Sequence, residues 1–86
     1  MDVREYFEKA ISDIPEVGQM RIPMSEIPNR MNQIPRDARV VMYCRSGSRS
    51  AAVTQFLRAQ GWEDVLNLKG GILAWREDVD PSIAAY

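Results

Sequence analysis

Histidine is absent from the 86-residue chain, and cysteine occurs once, at position 44. Without histidine, the Ser-His-Asp and Cys-His catalytic groupings are excluded, and so is the commonest transition-metal ligand. A single cysteine can form neither an internal disulfide nor the C-x-x-C pair that dithiol redox enzymes use. Any catalysis must therefore proceed without imidazole and without thioredoxin-like chemistry. We expect no metal and no other cofactor.

Long apolar runs and an excess of one charge are missing as well. No stretch reaches the roughly 18 apolar residues that a membrane-spanning helix needs. Eleven basic residues against twelve acidic ones give a net charge of −1, so binding to a phosphate backbone is not expected. The first five residues contain two acidic side chains in place of the basic stretch of a secretory signal. We therefore expect a cytoplasmic monomer that binds neither membranes nor nucleic acid.

The chain length suits one domain with a single core, and no repeat or linker divides the sequence, so we predict one domain over residues 1–86. The second half alternates strand and helix patterns: an apolar strand at 40–43, a helix at 48–60 capped by Gly61, a strand at 65–68, and a short helix at 72–77. The first strand lacks polar alternation, which is typical of burial on both faces of a parallel sheet. The sequence therefore predicts an α/β fold with helices flanking a small parallel sheet.

The first half of the chain carries weaker signals. Met20–Pro23 is predicted as a short edge strand, and Ser25 as the cap of a helix that runs to about Gln33 with Pro28 in its first turns. Val3 fits the end of another strand, but almost nothing precedes it. We therefore expect a truncated N-terminal strand.

Residues 44–49, Cys-Arg-Ser-Gly-Ser-Arg, lie between the predicted buried strand and the start of a helix. In such a position successive backbone N–H groups can turn inward and hold an anion. The helix N-terminus, these amides and the guanidinium groups of Arg45 and Arg49 favour a thiolate, and comparable settings lower a cysteine pKa from about 8.5 into roughly the 3.5–7.5 range. The sequence therefore predicts a nucleophilic Cys44.

The residues inside this loop are small. Gly47 has no Cβ to restrict a tight ring, and Ser46 and Ser48 leave its interior open for a small anion. A lone cysteine at the end of an apolar strand is more often a small buried hydrophobe. Arg-Ser-Gly-Ser-Arg, however, is a poor continuation of a buried strand and a good anion nest, which favours a functional Cys44.

Three motifs occur in the order found in one known family. Residues 2–5 match its Asp-Val-Arg-Glu segment, residues 43–50 its active-site loop, and residues 70–75 its Gly-Gly-Ile-x-x-Trp signature. On these motifs the chain resembles the rhodanese family. The resemblance implies a parallel sheet flanked by helices and a catalytic Cys44 that accepts sulfane sulfur.

The same resemblance assigns the rest of the loop. Arg45 and Arg49 would attract thiosulfate or a donor protein, and the backbone of Ser46, Gly47 and Ser48 would form the cradle that stabilises the persulfide anion. The implied activity is that of a thiosulfate sulfurtransferase, which passes sulfur from thiosulfate or a donor persulfide to a thiophilic acceptor. The C-terminal residues also resemble the end of rhodanese domains attached to adenylating enzymes that load sulfur-carrier proteins. A sulfur carrier or another protein is therefore an expected acceptor.

Two other functions compete with this interpretation. Phosphatase and arsenate-reducing relatives on the same fold use Cys-x5-Arg and would need arginine at position 50, where this chain has Ser50. The Cys-x4-Arg ring is one residue shorter and should suit a terminal sulfur better than a tetrahedral phosphate. A non-catalytic binding or regulatory module is the other alternative, because the N-terminal strand is short and Ser12–Val17 replaces the family's Gly-His-Ile-Pro-Gly-Ala stretch. Inactive versions commonly lack the cysteine, which this chain keeps.

The remaining motif residues have mainly structural interpretations. Ile72, Leu73 and Trp75 are predicted to be core residues of the last helix. Gly70-Gly71 is predicted to allow a tight turn or close backbone packing, since no Walker pattern follows it. Arg4 could face the active site, as in the family, or form a structural ion pair with a nearby carboxylate.

Overall fold

The structure is a computed structural model that describes residues 1–84. Its strands are β1 (Val40–Met42) and β2 (Val65–Asn67), and its helices are α1 (Glu8–Ile11), α2 (Ile27–Arg30), α3 (Ser48–Ala59) and α4 (Gly71–Asp78). The 3-10 turns Met24–Glu26 and Met31–Gln33 flank α2. The predicted alternation of strands and helices in the second half is confirmed. No helix within residues 1–84 is both long and apolar enough to cross a membrane.

The sheet is parallel. β1 pairs with β2 in a register that sets Val40 opposite Val65 and Met42 opposite Asn67. Asp2 forms parallel bridges to both Arg21 and Tyr43, so the N-terminal segment lies between the segment around Arg21 and the end of β1. The predicted truncated N-terminal strand is therefore reduced to isolated bridges at Asp2. The predicted edge strand at Met20–Pro23 is likewise reduced to one bridge, from Arg21 to Asp2.

Helix α3 packs against both strands, and its buried side chains include Val53 and Leu57. It ends as predicted, because Gly61 adopts a left-handed φ of +103° and its N–H donates to the Arg58 carbonyl at 3.1 Å. The opposite face of the sheet is more open. Val41 and Leu66 are register partners and are each 40% exposed. The prediction that the first strand is buried on both faces is therefore wrong, since α3 covers only one of them.

The predicted helix from Ser25 to about Gln33 is broken into three short segments. Ser25 lies inside the first 3-10 turn, where Pro23 occupies the capping position and no side chain caps the turn. The prediction of a Ser25 cap is therefore wrong. Pro28 lies at the start of α2 and has no N–H, so it cannot continue a hydrogen-bond ladder from the preceding turn.

The core contains a different tryptophan from the one that the motif suggested. Trp62 is 4% exposed, and its Nε1 donates to the Ile34 carbonyl at 3.3 Å. On α4, Ile72 is completely buried, whereas Leu73 and Trp75 are only partly buried. The prediction that these are core residues is therefore confirmed for Ile72 and wrong for Leu73 and Trp75, which keep part of their surface exposed. In α4, which is eight residues long, the buried residues are Gly71 and Ile72.

Candidate active site

Cys44 follows Tyr43, the residue after β1 that bridges to Asp2, and is 1% exposed. The loop after it turns back over the sulfur. The backbone N–H of Gly47 donates to Sγ at 3.1 Å, and that of Ser50 at 3.4 Å. Of the amides that the sequence places in the cradle, that of Gly47 therefore lies against the sulfur, and the second donor is the amide of Ser50, in the first turn of α3, which was not predicted.

These hydrogen bonds decide the ionisation of the thiol. Burial raises the pKa of Cys44, but bonds from the Ser50 hydroxyl and from the amides of Ser50, Gly47 and Ser46 lower it by more. The net pKa lies below that of an ordinary cysteine. The cause is that each donor stabilises the charged form more than the neutral thiol.

We predict that the pH midpoint for alkylation of Cys44 by iodoacetamide is lower in the folded protein than in the same protein unfolded in urea. The chain has one cysteine, so the reaction reports this thiol alone. The midpoint is the quantity to compare, because burial slows the absolute rate in the folded state. A folded-state midpoint equal to or above the unfolded one would show that desolvation outweighs the hydrogen bonds.

The other residues of the predicted loop surround the Cys44 sulfur. Gly47 has a left-handed φ of +97°, and a Cβ there would lie 3.0 Å from the backbone nitrogen of Gly70. Ser46 and Ser48 are exposed, with their hydroxyl oxygens 3.5 Å apart. Small residues therefore form the outer wall of the ring, and glycine allows its turn.

The two arginines differ in their surroundings. Arg49 makes a two-pronged ion pair with Glu8 of α1, at 2.7 and 2.9 Å. The Glu8 side chain is 8% exposed, so this bond ties α1 to the loop. Arg45 is exposed. The attraction of anionic substrates by both residues stays a prediction, and Arg49 shares its charge with a carboxylate.

Ser50 lies within the predicted loop, but the sequence analysis gave it no role at the sulfur. It is fully buried, and its Oγ lies 3.4 Å from Cys44 Sγ and 2.5 Å from Asn67 Oδ1. Its position was a usable signal, because the third residue of a helix lies over the loop that enters the helix. The participation of Asn67 depends on the register of β2 and could not have been predicted.

The Gly-Gly motif holds α4 against the loop. Ile72 N–H donates to the Cys44 carbonyl at 3.0 Å, and Leu73 N–H donates to the Arg45 carbonyl at 3.1 Å. A Cβ on Gly71 would lie 2.3 Å from the Cys44 carbonyl oxygen. The prediction of close backbone packing at Gly70-Gly71 is therefore confirmed, and its partner is the active-site loop itself.

Arg4 is buried in a cluster of ions. Its guanidinium lies 3.0 Å from Asp2 and 3.1 Å from Asp13, and it donates to the Ser12 carbonyl at 2.7 Å. Of the two predictions for Arg4, these contacts support the structural ion pair. Within residues 1–84, no group of three or more acidic or cysteine side chains is placed to hold a metal ion.

Comparison with known proteins agrees with this geometry. The sequence profile of the Rhodanese-like domain matches residues 1–78. A sulfurtransferase from Allochromatium vinosum is 45% identical over 84 residues, which cover 98% of this chain and 77% of that protein. The crystal structure of a rhodanese-related protein from Thermoplasma volcanium has a TM-score of 0.84 at 32% identity, covering 100% of this chain and 82% of the other. A rhodanese-like domain protein from Staphylococcus aureus has a TM-score of 0.78 at 34% identity, covering 99% and 78%. The chain therefore belongs to the rhodanese-like domain family, with the fold of that family and with sulfurtransferases among its relatives.

Proposed function

We propose that this protein is a sulfurtransferase that moves sulfane sulfur from thiosulfate or a donor persulfide to a thiophilic acceptor through a persulfide on Cys44. The observation that carries the proposal is the sulfur held by inward N–H groups of Gly47 and Ser50. Sulfurtransferase relatives support a transferase activity in general, and the cradle supports this particular intermediate.

The first step needs only the thiolate. Cys44 Sγ attacks the outer sulfur of thiosulfate, a new S–S bond forms, the S–S bond of thiosulfate breaks, and sulfite leaves with the electron pair. Sulfite is a stable anion at neutral pH, so no acid has to protonate it. The absence of histidine from the sequence is therefore compatible with the reaction.

In the second step Cys44 Sγ is the leaving group, and the terminal sulfur passes to the acceptor. A cyanide ion or an acceptor thiolate attacks the terminal sulfur, and Sγ leaves as a thiolate with the electron pair of the broken S–S bond. The donors that stabilise the Cys44 thiolate stabilise this leaving group as well. Cys44 is 1% exposed, which favours small sulfur species, or a slender acceptor chain, over bulky esters.

Intact mass spectrometry tests the proposal. After incubation with thiosulfate and removal of the excess, the protein should gain the mass of one sulfur atom and lose it again on addition of cyanide. Protein alkylated beforehand at Cys44 is the matched control and should gain nothing. A folded protein that gains no sulfur from thiosulfate or from a low-molecular-weight persulfide would overturn the proposal and favour a non-catalytic binding module.

We predict that Arg45→Ala raises the KM for thiosulfate about fivefold, since an exposed charge interaction contributes up to about 1 kcal/mol. The difference from wild type should shrink at high salt, because exposed charges are screened. Arg39→Ala is a matched control with the same charge change, because Arg39 is 68% exposed on its side chain and precedes β1, at the opposite end of the strand from Cys44. An equal change in KM in both variants would remove the local role of Arg45.

A further inference from the structure

The Ser50 hydroxyl has one proton and three possible acceptors. Its Oγ lies 2.5 Å from Asn67 Oδ1, 3.3 Å from the Gly47 carbonyl oxygen and 3.4 Å from Cys44 Sγ. A hydroxyl can donate only one hydrogen bond at a time. The sulfur and the Asn67 amide therefore compete for the same proton.

The orientation of the Asn67 amide follows from its second contact. Its nitrogen lies 3.3 Å from the Gly47 carbonyl oxygen, which can only accept, so the NH₂ group must face it. The amide oxygen then faces Ser50, and it too can only accept. The short Ser50–Asn67 bond is therefore donated by the hydroxyl, and while Cys44 is uncharged the proton is held on the side away from the sulfur.

Loss of the Cys44 proton to solvent changes the preference. Hydrogen bonds to an ionised acceptor are about twice as strong as neutral ones, so the hydroxyl gains by rotating toward an anionic Sγ. The rotation leaves Ser50 Oγ and Asn67 Oδ1 facing each other with no proton between them. Formation of the Cys44 thiolate therefore costs the Ser50–Asn67 hydrogen bond. The Asn67 amide makes the thiolate less favourable by the free energy of that bond.

We propose that Asn67 is a positioning residue for Cys44: its amide oxygen holds the Ser50 hydroxyl proton until the sulfur becomes anionic, and so limits how much of the protein carries a thiolate. Asn67 lies at the end of β2, opposite Met42 of β1, which places its amide beside the loop that follows β1. The functional meaning of this control rests on the proposed role of Cys44 as the sulfur acceptor. The hydrogen-bond competition itself concerns the thiol before any sulfur is loaded.

A double-mutant cycle on the alkylation of Cys44 tests the inference. The pH midpoint is measured for the wild type, Ser50→Ala, Asn67→Val and the double variant. Ser50→Ala should raise the midpoint, because a donor to the thiolate is lost. Asn67→Val should lower it by about half a pH unit, which is about a threefold higher alkylation rate at a pH below both midpoints. In the Ser50→Ala background, Asn67→Val should have no effect.

The charged groups around the loop are the same in all four proteins: Arg45, Arg49 and the Glu8 carboxylate that pairs with Arg49. The inference would be overturned if Asn67→Val left the midpoint unchanged or raised it. It would also be overturned if Asn67→Val lowered the midpoint equally with and without the Ser50 hydroxyl. Should the valine variant fail to fold, Asn67→Asp replaces it. Its carboxylate binds the Ser50 proton more firmly, so the midpoint should rise more with Ser50 present than in Ser50→Ala, and equal rises would be contrary to the inference.

These outcomes are separate from those of the sulfur-loading experiment. Failure to load sulfur from thiosulfate would remove the proposed activity and leave the alkylation cycle intact. An additive alkylation cycle in a protein that still loads sulfur would remove only the role of Asn67.

Discussion

Cys44→Ser is expected to abolish thiosulfate-to-cyanide sulfur transfer, with a loss of about 10³-fold or more, as is usual when a covalent nucleophile is removed. The hydroxyl of serine stays protonated at neutral pH, and its oxygen cannot form the persulfide that both steps require. The measurement is the rate of thiocyanate formation at saturating thiosulfate and cyanide. The loss should appear in kcat, because the chemical step itself disappears.

The fold should survive this substitution. The amides of Gly47 and Ser50 that bond the sulfur can bond a hydroxyl oxygen instead, so the buried polar group keeps partners. Thermal unfolding of the variant and a matched Cys44→Ala variant separates loss of chemistry from loss of structure. Substantial thiocyanate formation by folded Cys44→Ser protein would exclude a Cys44 persulfide as the intermediate.

Much of this site could be predicted because its parts are contiguous in the chain. An apolar strand, a loop rich in small and basic residues, and a helix N-terminus follow one another over residues 40–60. Local chemistry then indicates where the amides point. The Gly-Gly motif likewise predicts close packing, because glycine patterns report backbone constraints directly.

The parts that were missed depend on long-range placement. Glu8 is 41 positions from Arg49, and Asn67 is 17 positions from Ser50, so neither pair shows in any local pattern. Both contacts are set by tertiary packing, the first by the position of α1 and the second by strand register. The same limit explains the tryptophans, since only the complete fold determines that Trp62 is buried and Trp75 partly exposed.

Gly71→Ala is expected to lower the free energy of unfolding by about 4 kcal/mol, since left-handed strain and overpacking each cost about 1–3 kcal/mol. Gly71 has a φ of +58°, and its added Cβ would lie 2.3 Å from the Cys44 carbonyl oxygen and 2.6 Å from that of Arg45. Both obstacles are backbone atoms, so relief requires α4 and the loop to separate. Separation breaks the bonds from the first amides of α4 to these carbonyls and loosens the cradle around the sulfur.

Gly18→Ala is the matched control that separates the effect of left-handed backbone strain from that of overpacking. Gly18 has a similar left-handed φ of +77°, but nothing lies within 4 Å of the position that a Cβ would take there. Alanine at this position should cost only about 1–2 kcal/mol from backbone strain. Urea unfolding measures stability in both variants, and the alkylation midpoint of Cys44 measures the loop. Only Gly71→Ala should raise that midpoint, because only there do the donors around the sulfur move. Equal destabilisation of the two variants with unchanged midpoints would mean that α4 does not hold the loop in place.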